Sequence, residues 1–494
     1  MIFSSKYECF VIGLGIKKKL MIKKKINKPF VFVIFGASGD LAKLKIFPAL
    51  YDLMNRNKLP NEFYILGYAR TKMTRSEFQN IFRESIKYDV DEKVLDKLLN
   101  KVYYFSGQYD DMDDFMMFRR DLKKITKNQR NLTKLAYFSV PPFVFKGIIK
   151  NLGESSKNKN ANWRLIIEKP FGEDTRSADA LYHFVVRYFS EKQVYLLDHY
   201  LGKQSVQSLL HLRHYNRILN SMMKGREVSN IQITAFEQVG VEDRIGYFDQ
   251  VGMIKDMIQS HLLQILALIT MSIPISEDEG SIHQEKYNIL SALKFPKHKN
   301  NIILGQYKTY KKLKDVNNKS KTETFAALRL FIDRESWYKV PIYIRTGKRL
   351  NKKMNIVVVE MKKFPFQSKK ETPNRLIFQL QPEARLIIKL INKYNEVPDY
   401  HELSPCDTLT AKPLKDLPPE HSNLILDVLR GEKSNFLSFP EIIASWKLTD
   451  SIISFINKNR LRPEIYDDCS CGPKNQHDLT NIDGFKWIDL NECK

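Results

Sequence analysis

A doubly wound parallel sheet followed by a second unit with a large, mainly antiparallel sheet and helices is the fold class that these 494 residues predict, an α/β unit joined to an α+β unit. Three observations carry it. Phe30 to Phe35 is a continuous β-branched and aromatic run, as in a strand buried on both faces of a parallel sheet. Gly36-Ala37-Ser38-Gly39-Asp40 breaks that run, Leu41 to Met54 follows with apolar residues near helical spacing, and Phe63 to Gly67 supplies a second strand, which makes a βαβ unit. After about residue 200 the strand patterns follow one another without helical patterns between them, the mark of an antiparallel sheet.

Further strands of the first unit are expected at Leu135 to Val140, Leu165 to Ile167 and Val194 to Leu197. Each ends in special residues: Pro141-Pro142, Glu168-Lys169-Pro170 and Asp198-His199-Tyr200. Ligands of open α/β sheets bind beyond the carboxyl ends of the strands, so these endings are expected to converge on one crevice. In the second unit Asn230 to Glu237 alternates, one long helical segment is expected over Phe248 to Met271, and strands over Thr324 to Ile332, Val340 to Thr346, Ile356 to Met361, Leu376 to Gln381 and Leu386 to Ile391. Helices are expected over Asn423 to Leu429 and Pro440 to Ile456, and surface loops at Glu154 to Ala161 and Asp315 to Thr322. The divisions are therefore an extension over 1–28, with Met21 an alternative start, a coenzyme unit over 29–200, and a substrate-binding and oligomerisation unit over 201–494.

Composition narrows the function. With 43% hydrophobic, 12% aromatic and 28% charged residues the chain is a globular protein, and no uncharged apolar run reaches the 18 or so residues of a membrane span. The net charge of +24 is dispersed in short lysine runs, such as Lys17 to Lys19, Lys23 to Lys25 and Lys308 to Lys321, without a nucleic-acid-reading motif. Solvated faces account for it better than nucleic acid does, although a small basic cluster would suit an anionic metabolite. Five cysteines argue against a disulfide framework and for the cytoplasm, and Cys469-Ser470-Cys471 with His477 and Cys493 is too weak a pattern for a metal site. The apolar stretch Cys9 to Ile16 precedes its lysines, the wrong order for a secretory signal, and Gly13-Leu14-Gly15 imitates a dinucleotide loop without a helix to follow it.

Gly36 and Gly39 let a strand turn sharply into a helix whose free N–H groups receive a pyrophosphate, so the first unit is Rossmann-like although the spacing is not G-x-G-x-x-G. At the end of the second strand, where an NAD site places Asp or Glu, the chain reads Gly67-Tyr68-Ala69-Arg70-Thr71. A guanidinium there, aided by Lys43 or Lys45, suits the 2′-phosphate of NADP.

Phe35-Gly36-Ala37-Ser38-Gly39-Asp40-Leu41-Ala42, Glu168-Lys169-Pro170-Phe171-Gly172, Asp198-His199-Tyr200-Leu201-Gly202-Lys203, Gly246-Tyr247-Phe248-Asp249, His261-Leu262-Leu263-Gln264 and Arg345-Thr346-Gly347-Lys348 together resemble glucose-6-phosphate dehydrogenase, in the family's order and over about Phe32 to Ile456. The likeness looks strongest to the bacterial enzymes. It implies oxidation of glucose 6-phosphate to 6-phosphoglucono-δ-lactone with NADP, the entry to the oxidative pentose phosphate pathway, by a homodimer or homotetramer. His261 matches the family's base and Asp198 its carboxylate partner. The phosphate-binding pattern maps onto His199, Tyr200, Lys203, Lys348 and Lys353, the sugar hydroxyls onto Glu237 and Asp256, and Lys169 between sugar and coenzyme. The coenzyme set is Gly36, Ala37, Ser38, Gly39, Asp40, Leu41, Lys45, Arg70 and Lys169, with no metal.

One spacing resists this mapping: Asp256 and His261 are five residues apart, about 140° around an ideal α-helix. The chain also departs from the family at Ser260, usually Asn, at Gln379-Leu380-Gln381-Pro382, which lacks the usual Arg, and at Glu420 to Asn423, which lie away from the catalytic motifs in sequence. Cys469 to Pro473 replaces a Gly-x-Trp-Gly-Pro run. The rivals are a related dehydrogenase with altered substrate choice and a non-enzymatic basic binding protein on a decayed dehydrogenase scaffold.

Overall fold

The structure, a computed structural model, describes residues 26–490 apart from 88–89, 130, 156–161, 243–244, 277, 368–370, 395–396 and 404–418. The amino-terminal extension with Gly13-Leu14-Gly15 and Met21, most of the expected loop at Glu154 to Ala161, and Cys493 lie outside the described residues.

Six parallel strands form the first sheet: β1 (Phe30–Phe35), β2 (Phe63–Ala69), β3 (Val102–Ser106), β4 (Thr133–Phe138), β5 (Trp163–Glu168) and β6 (Val194–Leu197), in the order β3-β2-β1-β4-β5-β6. The order reverses at β1, so the crevice for a ligand opens beyond the carboxyl ends of β1 and β4. All six residues of β1 are buried, as its unbroken apolar run requires of a strand covered on both faces. β3 was not foreseen, because Val102-Tyr103-Tyr104-Phe105-Ser106 is short and only its first residue is fully buried at the sheet's edge.

The second sheet contains β7 (Val228–Phe236), β9 (Ile302–Tyr307), β10 (Phe325–Ile332), β11 (Ile342–Gly347), β12 (Met354–Met361), β13 (Arg375–Gln381), β14 (Arg385–Tyr394), β15 (Val397–Leu403) and β16 (Glu464–Tyr466), with the two-residue β8 (Leu293–Lys294) paired to β10. It is mainly antiparallel, with parallel pairs β7·β11 and β9·β16. The β7·β11 pair brings Phe236 opposite Gly347, so Glu237 and Lys348 leave adjacent strands at the same end.

The long helix expected over Phe248 to Met271 is three pieces: Ile245–Met253, a π-helical Ile254–Leu262, and Leu263–Thr270. Gly252 makes the first break with φ +69°, a left-handed value that glycine adopts without penalty. The helix Glu420–Arg430 packs back on the first sheet's layer, where Ser422 Oγ donates to the Ala49 carbonyl and Arg164 Nη1 to the Leu429 carbonyl at 2.9 Å; beyond the helix, the Leu437 N–H donates to the Leu196 carbonyl of β6.

A buried ion cluster joins the helices Glu279–Ala292 and Phe439–Lys458, with Lys286 Nζ 2.8 Å and His283 Nδ1 2.6 Å from the Glu441 carboxylate. Burial alone would push the Glu441 carboxyl up, but Lys286 and His283 outweigh it and hold it at about 2. Glu441→Gln strands Lys286 without its countercharge and is expected to cost about 3–5 kcal/mol in urea unfolding. The carboxyl is depressed on folding, so its contribution is complete above about pH 4.5 and is lost as pH falls toward 2. A variant as stable as wild type at pH 7 would show that the cluster contributes nothing.

Candidate active site

The first half of the site is the turn after β1. Gly36 has φ +84°, and a Cβ there would lie 2.0 Å from the Ser139 carbonyl oxygen at the end of β4. Its N–H donates to the Tyr68 carbonyl of β2 at 2.8 Å, and the Gly39 N–H donates to the Gly36 carbonyl at 3.0 Å. The turn is thus pressed against two neighbouring strand ends, and the helix begins at Asp40 with Leu41 behind it. Ser38 Oγ lies 3.4 Å from Thr71 Oγ1, Ala37 is buried beneath, and Arg70 is exposed at the end of β2 with its guanidinium 5.8 Å from the Tyr109 ring centroid. Lys45 is exposed on the first helix and Lys43 half-buried. A backbone cradle that any Cβ would fill, at a helix start and beside an exposed arginine, fits a dinucleotide that carries an additional phosphate.

The second half is the end of β6. Asp198 and His261 are both 1% exposed, with His261 Nδ1 2.6 Å from Asp198 Oδ1. The Tyr200 N–H donates to the same oxygen at 2.9 Å, and the Tyr200 ring stacks on the imidazole with centroids 4.1 Å apart. His199 meets the imidazole edge-on at 4.7 Å, and Lys203 Nζ stands 3.6 Å over the Tyr200 ring. With the Asp198 carboxylate receiving the Nδ1 proton, Nε2 is left as an acceptor. Lys169 Nζ, from the end of β5, is 2.7 Å from it and 3.5 Å from Asp256 Oδ1. Lys348 Nζ pairs with the Glu237 carboxylate.

The π-helical segment removes the 140° conflict between Asp256 and His261. Its hydrogen bonds run from i to i+5, so residues five apart stack on one face, and both side chains reach Lys169. Ser260, the departure from the family's Asn, turns its hydroxyl back to the Asp256 carbonyl at 2.6 Å.

Electrostatics follow from burial. It raises the Asp198 carboxyl, with His199 and Lys169 opposing, and it drives His199 well below the ordinary histidine value, helped by the neighbouring His261. Burial also lowers the Lys203 ammonium, and Glu420 is the largest charge acting against this. That corrects the reading of Glu420 to Asn423 as remote: the sequence separation is long, but the helix Glu420–Arg430 brings its first residue to the site. Only the fold could reveal this, because no spacing links residues 203 and 420. Lys353, in contrast, is exposed on the turn before β12, where its charge reaches Lys203. Among the described residues the grouping with metal-ligand separations is Asp198, His199 and His261, not the terminal cysteines. Cys469 is exposed, and Cys471 Sγ accepts from Asn351 Nδ2 at 3.3 Å.

The chain is similar to known proteins over both units. The family model described as glucose-6-phosphate dehydrogenase, NAD binding domain, matches residues 33–208, and the one described as glucose-6-phosphate dehydrogenase, C-terminal domain, matches 210–488. Glucose-6-phosphate 1-dehydrogenase of Emericella nidulans is 35% identical over 93% of this chain and 92% of its own length. The chloroplastic glucose-6-phosphate 1-dehydrogenase 3 of Arabidopsis thaliana is 34% identical over 93% and 80%. A solved structure of glucose-6-phosphate dehydrogenase in complex with its substrate glucose 6-phosphate superimposes with a TM-score of 0.88 at 30% identity, covering 94% of this chain and 100% of that one. These sequence relatives are fungal and plant, so the particular likeness to bacterial enzymes is not supported. The two family matches together span nearly all of the described chain, and it belongs to the glucose-6-phosphate dehydrogenase family.

Proposed function

We infer that the chain oxidises glucose 6-phosphate to 6-phosphoglucono-δ-lactone with NADP, the first step of the oxidative pentose phosphate pathway. The observation that carries this is the buried Asp198–His261 pair facing Lys169, within a chain that matches the family over both units. His261 Nε2 takes the proton of the C1 hydroxyl as the C1–O bond becomes a carbonyl, and Asp198 holds the ring and offsets the imidazolium charge that forms. Gly36 to Leu41, with Arg70 and Lys45 at the 2′-phosphate, would hold NADP, which would supply the acceptor for the C1 hydride.

Lys169 occupies the place at Nε2 that the C1 hydroxyl takes, so substrate binding displaces its ammonium toward Asp256. His199, Tyr200, Lys203, Lys348 and Lys353 hold the phosphate, and Glu237 and Asp256 orient the sugar hydroxyls. Binding energy from the unreacting phosphate then aligns C1, which lowers the barrier without further chemistry. A homodimer or homotetramer through the second sheet and a cytoplasmic location complete the proposal. Among the described residues no helix is long and apolar enough to cross a membrane.

The test is absorbance at the reduced-nicotinamide band with glucose 6-phosphate and either NADP or NAD. Turnover preferring NADP is expected, and folded protein with no turnover on either coenzyme would sink the reading. Loss of a charge-assisted contact of about 1.5–3 kcal/mol in Arg70→Ala is expected to raise the KM for NADP roughly 10- to 100-fold and leave that for NAD nearly unchanged. An equal rise for both coenzymes would remove Arg70 from the 2′-phosphate. The charge of +24 favours the second reading, a non-enzymatic basic binding protein, which predicts salt-sensitive retention on nucleic acid without turnover.

A further inference from the structure

The break before the π-helical segment has a partner outside the sugar site. At Gly252 a Cβ would lie 2.5 Å from the Glu323 carboxylate. Just after it, the Ile254 N–H donates to Glu323 Oε1 at 3.1 Å and the Met253 N–H donates to the Glu323 main-chain carbonyl at 3.1 Å. The first N–H groups of a helical segment have no partner within it, so one residue satisfies two of them. The next residue, Thr324, accepts the Lys348 N–H at 2.9 Å. Residues 323 and 324 therefore tie the segment bearing Asp256 and His261 to the strand end bearing Lys348.

We propose that Glu323 is a positioning residue for the reaction, clamping the start of the π-helical segment so that Asp256 and His261 share one face. The inference rests on the dehydrogenase reading above. A segment released at its start is free to relax to the α-helical register, which would turn Asp256 and His261 about 140° apart. Burial pushes the Glu323 carboxyl up to about 7, against the Ile254 and Met253 N–H groups and the charge of Lys255. Tyr310, whose phenol the Glu323 charge helps to raise, also stands within its reach, and its hydroxyl donates to Asp249 at 2.8 Å. Because the folded value exceeds the ordinary 4.5, this carboxyl's contribution to stability is complete below about pH 4.5 and declines as pH rises toward 7, while its full negative charge is present only above about 7.

Glu323→Ala is expected to lower kcat about 10- to 100-fold with the KM for glucose 6-phosphate within about threefold, as misplacement of a base does. Glu323→Gln keeps an acceptor for the Ile254 N–H, so kcat should return to within about threefold of wild type. Amide hydrogen exchange over residues 253–262, measured without substrate, should accelerate in the Ala variant and not in the Gln variant. A folded Ala variant with wild-type kcat overturns the proposal, as does a folded Gln variant that loses kcat about tenfold or more. Should the Ala variant not fold, the kcat and exchange of the Gln variant decide. Absence of turnover in wild type, with exchange still faster in the variant, would count against the dehydrogenase reading and leave the clamp standing.

Discussion

Replacing His261 with Asn is expected to lower kcat by about two to four orders of magnitude while the KM for glucose 6-phosphate stays within about threefold. The imidazole is the buried partner of Asp198 and its Nε2 faces Lys169, and in the proposed mechanism it meets the reacting hydroxyl and not the phosphate. Asparagine fills much of the same volume but cannot take a proton. The proposed phosphate set of Lys203, Lys348 and Lys353 is untouched, which is why binding should survive. Initial rates from nicotinamide absorbance, with a thermal melt to establish that the variant is folded, make the measurement. Residual activity above a tenth of wild type would remove His261 as the base.

Gly36→Ala is expected to abolish useful NADP binding, raising its Kd roughly 100-fold or more. The left-handed conformation alone costs a non-glycine residue about 1–3 kcal/mol. The added Cβ would also meet the Ser139 carbonyl oxygen at 2.0 Å and Val140 Cγ1 at 2.7 Å, so the turn must leave the ends of β2 and β4. Displaced N–H groups then lose charge-assisted contacts of about 1.5–3 kcal/mol each to the pyrophosphate. Gly246→Ala is the control, because a Cβ there meets nothing within 4 Å. Titration calorimetry with NADP reads both variants, and equal affinities would mean that the turn does not hold the coenzyme.

Much of the site could be read before the fold was known, for a physical reason. β1 and β6 are buried along their whole length, so they announce themselves as unbroken apolar runs and their bounds match the expected ones. The residues that interrupt such runs, Gly36 after β1 and Asp198 after β6, stand out against them, and it is their recurrence at one end of the sheet that points to a crevice. The edge strand β3 escaped detection because only Val102 in it is fully buried, and β16, of three residues, because its pattern is too short to show a period.

Pattern along the chain thus dictated most strands of the two sheets and the glycine turn after β1, since burial and turn geometry act on neighbours in sequence, whereas His261 and Asp198 as base and carboxylate followed only from the family resemblance. It could not dictate the register of the segment Ile254–Leu262. Apolar spacing there is compatible with an α-helix, and the choice of i to i+5 hydrogen bonds goes with contacts to Glu323, nearly seventy residues away. Glu420 reaches Lys203 in the same manner, from the far end of the chain. Charges and hydrogen-bond donors act over a few ångströms of space whatever the sequence distance, so the side chains that tune His261 and the phosphate site became visible only once the chain was folded.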